Sequence, residues 1–403
     1  MRLPEPGAQG RQLLELVAVS GDFPVRLLKR LPGQPAYKDS VVKKLKRTGL
    51  LRTYYRDGLR TFRLGWPAKE LLVQENPERF SFFLTGTAET NRLKSEKTRR
   101  LRLIRMAAMY TMMWNARVEI FRDQKPPVFS YDFSGQERIR DPCYYGSREV
   151  KEIGLDAVKI KSSRMTGMLL TKEKGYVVYY CGEALMKWGS REELRLKIFL
   201  QMEMNGRRLG GQYGPDGLEA ILFADRMELF MELMQAEKKD GTYFLFDGNY
   251  EHFYFLTNDH HGEVLLRLLC SMKKKRELEE LMCTGLEEKG ESGTWQDALD
   301  QDGAPVLFGW LLDLPRIAGF LKMMAFRNLS GKIICFDFQM DALRKCCEDR
   351  AQFQTIGLKN GKGGFVHKTQ KIVFDSFWTA AAAFCLTLRR RVHRAVYPQP
   401  HRM

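Results

Sequence analysis

The segment from Gly10 to Leu72 constrains the fold most tightly, because short helical and strand-like patterns follow one another there with clear breaks between them. Apolar residues at helical spacing predict three helices: Arg11–Val19, Val25–Leu31 and Tyr37–Arg47. Two strand-like runs follow: Leu50–Tyr55 and Leu59–Leu64. The Asp57-Gly58 pair between the runs is a strong hairpin signal. Three helices followed by a hairpin is the element order of a winged helix-turn-helix.

Basic residues concentrate on the third predicted helix and on the hairpin. Between Ala36 and Arg63 the chain has nine Lys/Arg and only two Asp/Glu. A recognition helix in the major groove needs cations for phosphates and polar side chains for base edges. The candidate DNA-binding residues are Tyr37, Lys38, Ser40, Lys43, Lys44, Lys46, Arg47, Arg52, Tyr55, Arg56 and Arg60. Two alternatives remain open: a winged helix that docks on protein, or an ordinary solvated face.

The charge distribution supports a nucleic-acid partner. The formal charge is +17, and residues 1–105 account for +13 of it. An excess of basic residues at one end suits a nucleic-acid footprint better than a general solubility device. The sequence indicates no signal peptide and no apolar run near the roughly 20 residues of a membrane span. The eight cysteines show no paired spacing, so we expect a cytoplasmic chain with reduced thiols, no metal and no cofactor.

Beyond the hairpin the pattern predicts a connecting region and then a mixed α/β domain. Residues Glu75–Phe83 have no clear periodicity, whereas Thr90–Val118 predicts one long helix, basic at its amino end and apolar at its carboxyl end. That basic end either tracks a DNA backbone or is simply solvated. We therefore predict three domains: a winged helix at 8–75, a basic linker at 76–125 and a mixed α/β domain at 126–403.

Within the predicted α/β domain, buried strand-like runs alternate with helices, which indicates at least partly parallel strands. The predicted strands are Gly167–Leu170, Tyr176–Tyr180, Ala220–Phe223, Tyr243–Phe246, Phe253–Leu256, Val306–Phe308 and Lys332–Phe336. The predicted helices are Glu192–Met202, Met227–Met234, Glu263–Leu269, Ile317–Met324 and Asp341–Glu348. In the first of these helices we expect Leu194, Ile198 and Leu200 to face inward.

A winged helix, a basic linker helix and a mixed α/β domain together resemble the replication-relaxation family of Gram-positive plasmids and conjugative elements. The run from Ser163 to Lys197 is similar to a stretch in proteins of clostridial mobile elements, and it has the sequence SRMTGMLLTKEKGYVVYYCGEALMKWGSREELRLK. The resemblance implies DNA binding in replication, its control or transfer. It also implies that the α/β domain is similar to the restriction-endonuclease fold.

A metal-dependent nuclease of that fold needs an Asp, followed on the next strand by an acid and a Lys. Here Asp156 precedes the predicted hairpin, but the second strand has no acid, and Glu183 and Lys187 follow it at a spacing of four rather than two. This departure favours a degenerate domain used for binding, and no residue is assigned as catalytic. A Mg²⁺-dependent nuclease remains the alternative if the chain is an enzyme.

Other polar clusters are weaker candidates for a ligand site. Four aspartates at or just after the ends of predicted strands could hold Mg²⁺ or could cap the following helices: Asp225, Asp247, Asp337 and Asp341. His260-His261, with Asp259 and nearby His252, lacks a familiar metal spacing and predicts a turn and helix start. The glycines of Leu358–Phe365 match no phosphate-binding motif and predict a hairpin turn.

The sequence therefore favours a cytoplasmic protein of a mobile element that binds double-stranded DNA. The predicted α/β domain would form a homodimer or recruit replication or transfer proteins, and no membrane partner is expected. The alternatives are a nuclease and a protein-docking winged helix.

Overall fold

The structure is a computed structural model that describes residues 2–86, 96–133, 135, 137–154, 163–214, 217–235, 248–288, 295–347, 350–359 and 364–367. The chain is mixed α/β, as predicted, and it divides into two compact units. The first unit comprises Met1–Leu278 with Asp313–Pro315, and the second comprises Glu279–Leu312 with Arg316–Met403. None of the described helices is long and apolar enough to cross a membrane.

The first unit begins with a helical bundle closed by a three-stranded antiparallel sheet of order β1-β3-β2. Its elements are α1 (Gln9–Ser20), β1 (Phe23–Pro24), a 3₁₀ turn (Val25–Arg30), α2 (Pro35–Arg47), β2 (Leu51–Arg56) and β3 (Leu59–Leu64). These elements confirm the predicted helices and strands of this segment, except that the second helix is a 3₁₀ turn.

Local sequence explains how these elements begin and end. Helix α1 buries its apolar residues and ends at Gly21, whose positive φ of 82° lets its amide donate to the Val17 carbonyl. Helix α2 begins with Pro35, which suits the first helical turn because it has no amide hydrogen to satisfy. Asp57 and Gly58 both have positive φ, 54° and 77°, so the hairpin is closed by a two-residue turn of the primed type, which matches the strand twist.

Three helices connect this bundle to the next sheet: α3 (Trp66–Glu75), α4 (Pro77–Leu84) and α5 (Lys97–Asn115). The prediction that Glu75–Phe83 is irregular was wrong. Asn76 caps α4 by accepting a hydrogen bond from the Arg79 amide, and Pro77 occupies the first turn, so the local start signals were present. Helix α5 is buried from Met106 to Met113, and the predicted start of that helix at Thr90 lies outside the described residues.

The central sheet of the first unit has the strand order β4-β5-β6-β7-β8. Its strands are β4 (Cys143–Gly146), β5 (Gly167–Leu170), β6 (Gly175–Gly182), β7 (Leu218–Ala224) and β8 (Phe253–Thr257). The β4/β5 and β5/β6 pairs are antiparallel, whereas β6/β7 and β7/β8 are parallel, as the alternating pattern predicted. The described helices that accompany it in the chain are α6 (Ser147–Val150), α7 (Ser190–Gln201), α8 (Glu228–Met234), α9 (His260–Leu269) and α10 (Met272–Met282), and α10 ends in the second unit.

Helix α7 confirms the predicted helix but not its predicted inner face. Leu200 is buried, whereas Leu194 and Ile198 are exposed. The buried positions on this helix include Glu193, which accepts hydrogen bonds from Ser163 Oγ, the Arg164 amide and the Tyr179 hydroxyl. A buried carboxylate with three donors replaces the purely apolar face expected from periodicity.

The second unit contains a six-stranded sheet of order β14-β13-β12-β11-β10-β9. Its strands are β9 (Glu287–Glu288), β10 (Ala298–Leu299), β11 (Pro305–Phe308), β12 (Gly331–Phe336), β13 (Ala351–Lys359) and β14 (Gly364–His367). Its helices are α11 (Leu314–Arg327), which begins in the first unit, and α12 (Asp337–Cys347). Strands β11, β12 and β13 are parallel, and β13 pairs with β14 in an antiparallel hairpin in which Leu358 faces Phe365. The strands on either side of the predicted turn at Leu358–Phe365 therefore pair, and the turn residues 360–363 lie outside the described residues.

Candidate nucleic-acid interface

Helix α2 presents one apolar face inward and one polar face outward. Val42 and Leu45 are buried against the bundle. On the opposite side an exposed stripe at helical spacing comprises Tyr37, Ser40, Lys44 and Arg47, with Lys43 exposed beside it. The Tyr37 ring is 56% exposed, and the Ser40 hydroxyl donates to the Tyr37 carbonyl. This stripe is accessible along its whole length.

Lys38 does not belong to the exposed stripe and is corrected as a candidate DNA contact. It is only 7% exposed, and its ammonium donates to the carbonyls of Lys29, at 3.3 Å, and Leu31, at 2.9 Å. Lys38 lies four and seven residues before Val42 and Leu45, so helical spacing alone places it on the buried face. Its amino group ties α2 to the end of the 3₁₀ turn and is not available to a phosphate. Lys46 is exposed, but its ammonium lies 5.4 Å from the centre of the Phe62 ring.

The hairpin adds a second group of exposed cations. Arg52, Arg56 and Arg60 are exposed, and Tyr55 is 70% exposed. Arg56 lies 3.8 Å from the Asp57 carboxylate at the turn. Within the described part of the chain, no carboxylate forms an ion pair with Lys43, Lys44, Arg47, Arg52 or Arg60. The exposed face of α2 together with Arg52, Tyr55, Arg56 and Arg60 is called the basic face below.

A buried ionic cluster fixes the base of the hairpin. Asp22 is fully buried and accepts hydrogen bonds from Arg63 (2.7 and 2.9 Å), from Thr61 Oγ1 (2.7 Å) and from Arg100 (2.9 Å). Arg100 belongs to α5 and also donates to the Arg56 and Leu59 carbonyls, which flank the turn. Arg63 of the hairpin and Arg100 of α5 are therefore buried, and their charges stabilise the fold.

The pKa of Asp22 reflects this arrangement. Burial alone would raise it, but the hydrogen bonds from Arg63, Thr61 and Arg100 outweigh burial and hold the pKa below that of an ordinary aspartate. Both guanidinium groups also lie against the Tyr54 ring, at 3.8 Å for Arg63 and 4.7 Å for Arg100. No local pattern predicts this cluster, because Asp22 and Arg100 are 78 residues apart.

Two arginines of the 3₁₀ turn attach the bundle to the central sheet. Arg30 donates to the side chain and carbonyl of Asn258 and to Glu263, and Asn115 Nδ2 donates to the same carboxylate at 2.7 Å. Arg26 lies 3.8 Å from Asp225 and 3.5 Å from Glu183. These contacts lie within the first compact unit, which contains the bundle, the connecting helices and the central sheet.

The described strand-end aspartates belong to two compact units, and each is described within its own unit. Asp225 does not cap α8, because that helix begins at Glu228 without a side-chain cap. Instead Asp225 accepts hydrogen bonds from the Tyr180 hydroxyl at 2.7 Å and from Asn258 at 2.8 Å. Asp337 is exposed in the second unit, where it accepts a hydrogen bond from the Phe338 amide, and Asp341 is exposed on α12. Asp247 lies outside the described residues.

The residues proposed for a nuclease are not assembled in the described part of the chain. Asp156 lies outside it. Glu183 is exposed and pairs with Arg26, and Lys187 is exposed further along the same segment. Among the described residues no group of three or more His, Cys, Asp or Glu side chains is placed to hold a metal ion.

The histidines have structural partners. Asp259 caps α9 by accepting from the Gly262 amide, which confirms the predicted turn and helix start. His260 and His261 lie near Glu263 and Asp259, at 3.5 and 3.8 Å. His252 Nδ1 lies 2.6 Å from Asp313, and its ring stacks on Tyr254. Burial alone would lower the pKa of His252, but the hydrogen bond and charge of Asp313 raise it above the usual histidine value.

We expect the His252–Asp313 pair to stabilise the fold more at acidic pH than at alkaline pH. A raised pKa means that the pair stabilises the fold fully below the ordinary histidine pKa of about 6.5, and that this contribution is lost as pH rises through the folded value. His252→Gln should therefore cost about 1 kcal/mol in urea denaturation at acidic pH and less at alkaline pH. The more exposed His261→Gln serves as the control, and equal losses at both pH values would contradict the assignment.

Comparison with known proteins identified no relative. No family model matches the chain, and no curated protein and no solved structure is significantly similar to it.

Proposed function

We propose that this chain binds double-stranded DNA through a winged helix formed by α1, the 3₁₀ turn, α2 and the hairpin. The single observation that supports this most strongly is the exposed stripe of Tyr37, Ser40, Lys44 and Arg47, which continues into the cations of the hairpin. The element order and the β1-β3-β2 sheet are typical of winged helices. In such a module the third helical element enters the major groove and the hairpin lies along the backbone.

The roles of the residues follow from their chemistry and exposure. Lys43, Lys44, Arg47, Arg52, Arg56 and Arg60 would neutralise phosphates, which fixes the position of the protein without reading sequence. Ser40 is well placed to contact a base edge, because its hydroxyl can accept a hydrogen bond while it donates to the Tyr37 carbonyl. Tyr37 and Tyr55 would add contacts to the sugar-phosphate backbone.

The biological setting we propose rests on the resemblance to the replication-relaxation family. In that setting the chain acts in the cytoplasm of the host of a mobile element, in replication, its control or transfer. The α/β part would recruit replication or transfer proteins or form a homodimer. We further propose that this α/β part is similar to a degenerate restriction-endonuclease fold and that it serves binding.

The salt dependence of duplex binding tests this function. With the six phosphate contacts proposed, the affinity for a random-sequence duplex should fall by roughly 1,000-fold when the monovalent salt concentration is raised fourfold. The measurement is fluorescence anisotropy of a labelled duplex across a salt series, with a parallel series in Mg²⁺ analysed on a gel. Weak, salt-independent binding would contradict the proposal and favour a protein-docking module, and cut DNA in Mg²⁺ would favour the nuclease.

A further inference from the structure

A second basic surface of the first unit is a cleft of about 720 Å³ beside helix α5. One wall is a single face of α5, formed by Thr98, Leu101, Arg102, Arg105 and Met106 at helical spacing. The other walls come from Ser147 and Lys151, from Ser163–Thr166 before β5, and from residues between Tyr180 and Lys187, at the end of β6 and just after it. We call this surface the basic cleft.

The lining of the basic cleft is strongly one-sided in charge. Among the described residues that line it, five are cationic and none is acidic; the cations are Arg102, Arg105, Lys151, Arg164 and Lys187. Within the described part of the chain, Arg102, Arg105 and Lys187 have no carboxylate partner. Cations on facing walls of a cleft attract an anionic ligand, because its charge offsets their mutual repulsion. Several phosphates would do so.

The cleft also has apolar surface and a fixed wall. Met106, Met165 and Met186 are buried in its lining and give it an apolar floor between the cations. The segment with Arg164 is held by Glu193, which accepts from both Ser163 and the Arg164 amide. Burial raises the pKa of Cys181 to about 12, so this thiol in the lining stays protonated at neutral pH and is not a nucleophile. The cleft therefore combines cations, apolar side chains and a wall held by hydrogen bonds.

Size distinguishes this ligand from a duplex. A volume of about 720 Å³ lies within the range of pockets that hold a small molecule, roughly 300–1,000 Å³. A few nucleotides of single strand fit such a space, whereas a duplex does not. Grooves for single strands combine cations for the phosphates with side chains, usually aromatic, on which the bases stack. Here the cations are present, and methionines supply the apolar surface.

Helix α5 links the cleft to the basic face. Arg100 reaches the carbonyls on either side of the hairpin turn, and Arg102 and Arg105 line the cleft. Arg105 lies five residues beyond Arg100, which is about 8 Å along the helix axis. A strand that leaves a duplex at the hairpin therefore has only a short distance to travel to the cleft.

We propose that the basic cleft binds single-stranded nucleic acid, so that the chain recognises a junction between duplex and single strand. This inference rests on the proposed duplex binding and names the substrate class of that function. Duplex DNA would occupy the basic face, and the unpaired strand would occupy the cleft.

Three labelled ligands test the proposal by anisotropy: a blunt duplex, the same duplex with an oligothymidylate overhang, and oligothymidylate alone. We expect the overhang to raise the affinity of the unaltered chain about tenfold. Arg102→Glu/Arg105→Glu should lose this gain and bind the blunt duplex within about twofold of the unaltered chain. Lys187→Glu changes a different wall of the cleft and should lose part of the affinity gained from the overhang. It gives a second measurement if Arg102→Glu/Arg105→Glu folds poorly.

Arg191→Glu/Arg195→Glu is the matched control, since it reverses two exposed charges on α7 that do not line the cleft. It should retain the gain from the overhang. An overhang without effect, while the blunt duplex binds, would overturn the cleft assignment and leave duplex binding intact. Equal losses for blunt and overhang duplexes in Arg102→Glu/Arg105→Glu would also overturn it, because these arginines would then contact the duplex.

The two remaining outcomes separate the other possibilities. Failure of the blunt duplex to bind would refute the proposed function. Binding of oligothymidylate alone would in that case still support single-strand binding by the cleft, provided that the cleft variants lose it. Thymidine monophosphate is added as a competitor. If it binds as tightly as oligothymidylate, the cleft takes a free nucleotide, and the junction proposal is wrong.

Discussion

Replacing Asp22 by alanine is expected to lower the free energy of unfolding of the first unit by about 3–5 kcal/mol, because the change leaves two buried arginines without their anion. Arg63 and Arg100 are both buried, and Asp22 is their shared partner. The same change should loosen the hairpin, since Arg100 also binds the carbonyls beside its turn. Urea denaturation followed by circular dichroism measures the loss.

The pH dependence of this cluster runs opposite to that of His252. The pKa of Asp22 is lowered in the folded chain, so its stabilisation is complete above the ordinary aspartate pKa of about 4 and is lost as pH falls through the lower folded value. The exposed Asp39→Ala on α2 is the control and should change stability little. If Asp22→Ala does not fold, Thr61→Val removes the hydrogen bond to Asp22 and the one accepted from Arg100, and should cost about 1–2 kcal/mol. An Asp22→Ala variant as stable as the unaltered chain would contradict this account.

The second large effect concerns duplex affinity. Lys43→Glu/Lys44→Glu should weaken binding of a random-sequence duplex by at least about 100-fold at low salt, since two phosphate contacts are lost and two repulsions are added. The dependence of log affinity on log salt should also become shallower by about two. Both lysines are exposed, so the fold should be unchanged. Anisotropy at several salt concentrations gives both quantities.

The Arg191→Glu/Arg195→Glu control makes the same change in net charge on α7. If it weakens duplex binding as much as Lys43→Glu/Lys44→Glu does, the effect comes from total charge, and the basic face has no special role.

Short-range signals predicted the elements of the amino-terminal segment well. The Asp57-Gly58 pair predicted the turn, because these two residue types adopt the positive φ values that the turn requires. Apolar periodicity predicted the positions of α1 and α2. The same periodicity places Lys38 on the face of Val42 and Leu45, so helical spacing alone predicts that Lys38 is buried. The Asn76-Pro77 start of α4 was likewise visible in the sequence.

Contacts between distant residues were not predictable from local patterns. Asp225 stands at a position where a helix cap is usual, but Tyr180 and Asn258, far away in the chain, take its carboxylate. From local sequence Arg63 and Arg100 would be interpreted as surface cations, but in the folded chain both donate hydrogen bonds to Asp22. The basic cleft also depends on tertiary structure, because its cations come from four separate segments.

Site-specific photo-crosslinking tests the central claim, that duplex DNA lies on the exposed face of α2, most directly. A photoreactive amino acid is placed at position 40, in the middle of the exposed stripe, or at position 194, an exposed site on α7. With a labelled duplex at low salt, we predict strong crosslinking from position 40 and little from position 194. Bound duplex that crosslinks from position 194 but not from position 40 would contradict the account.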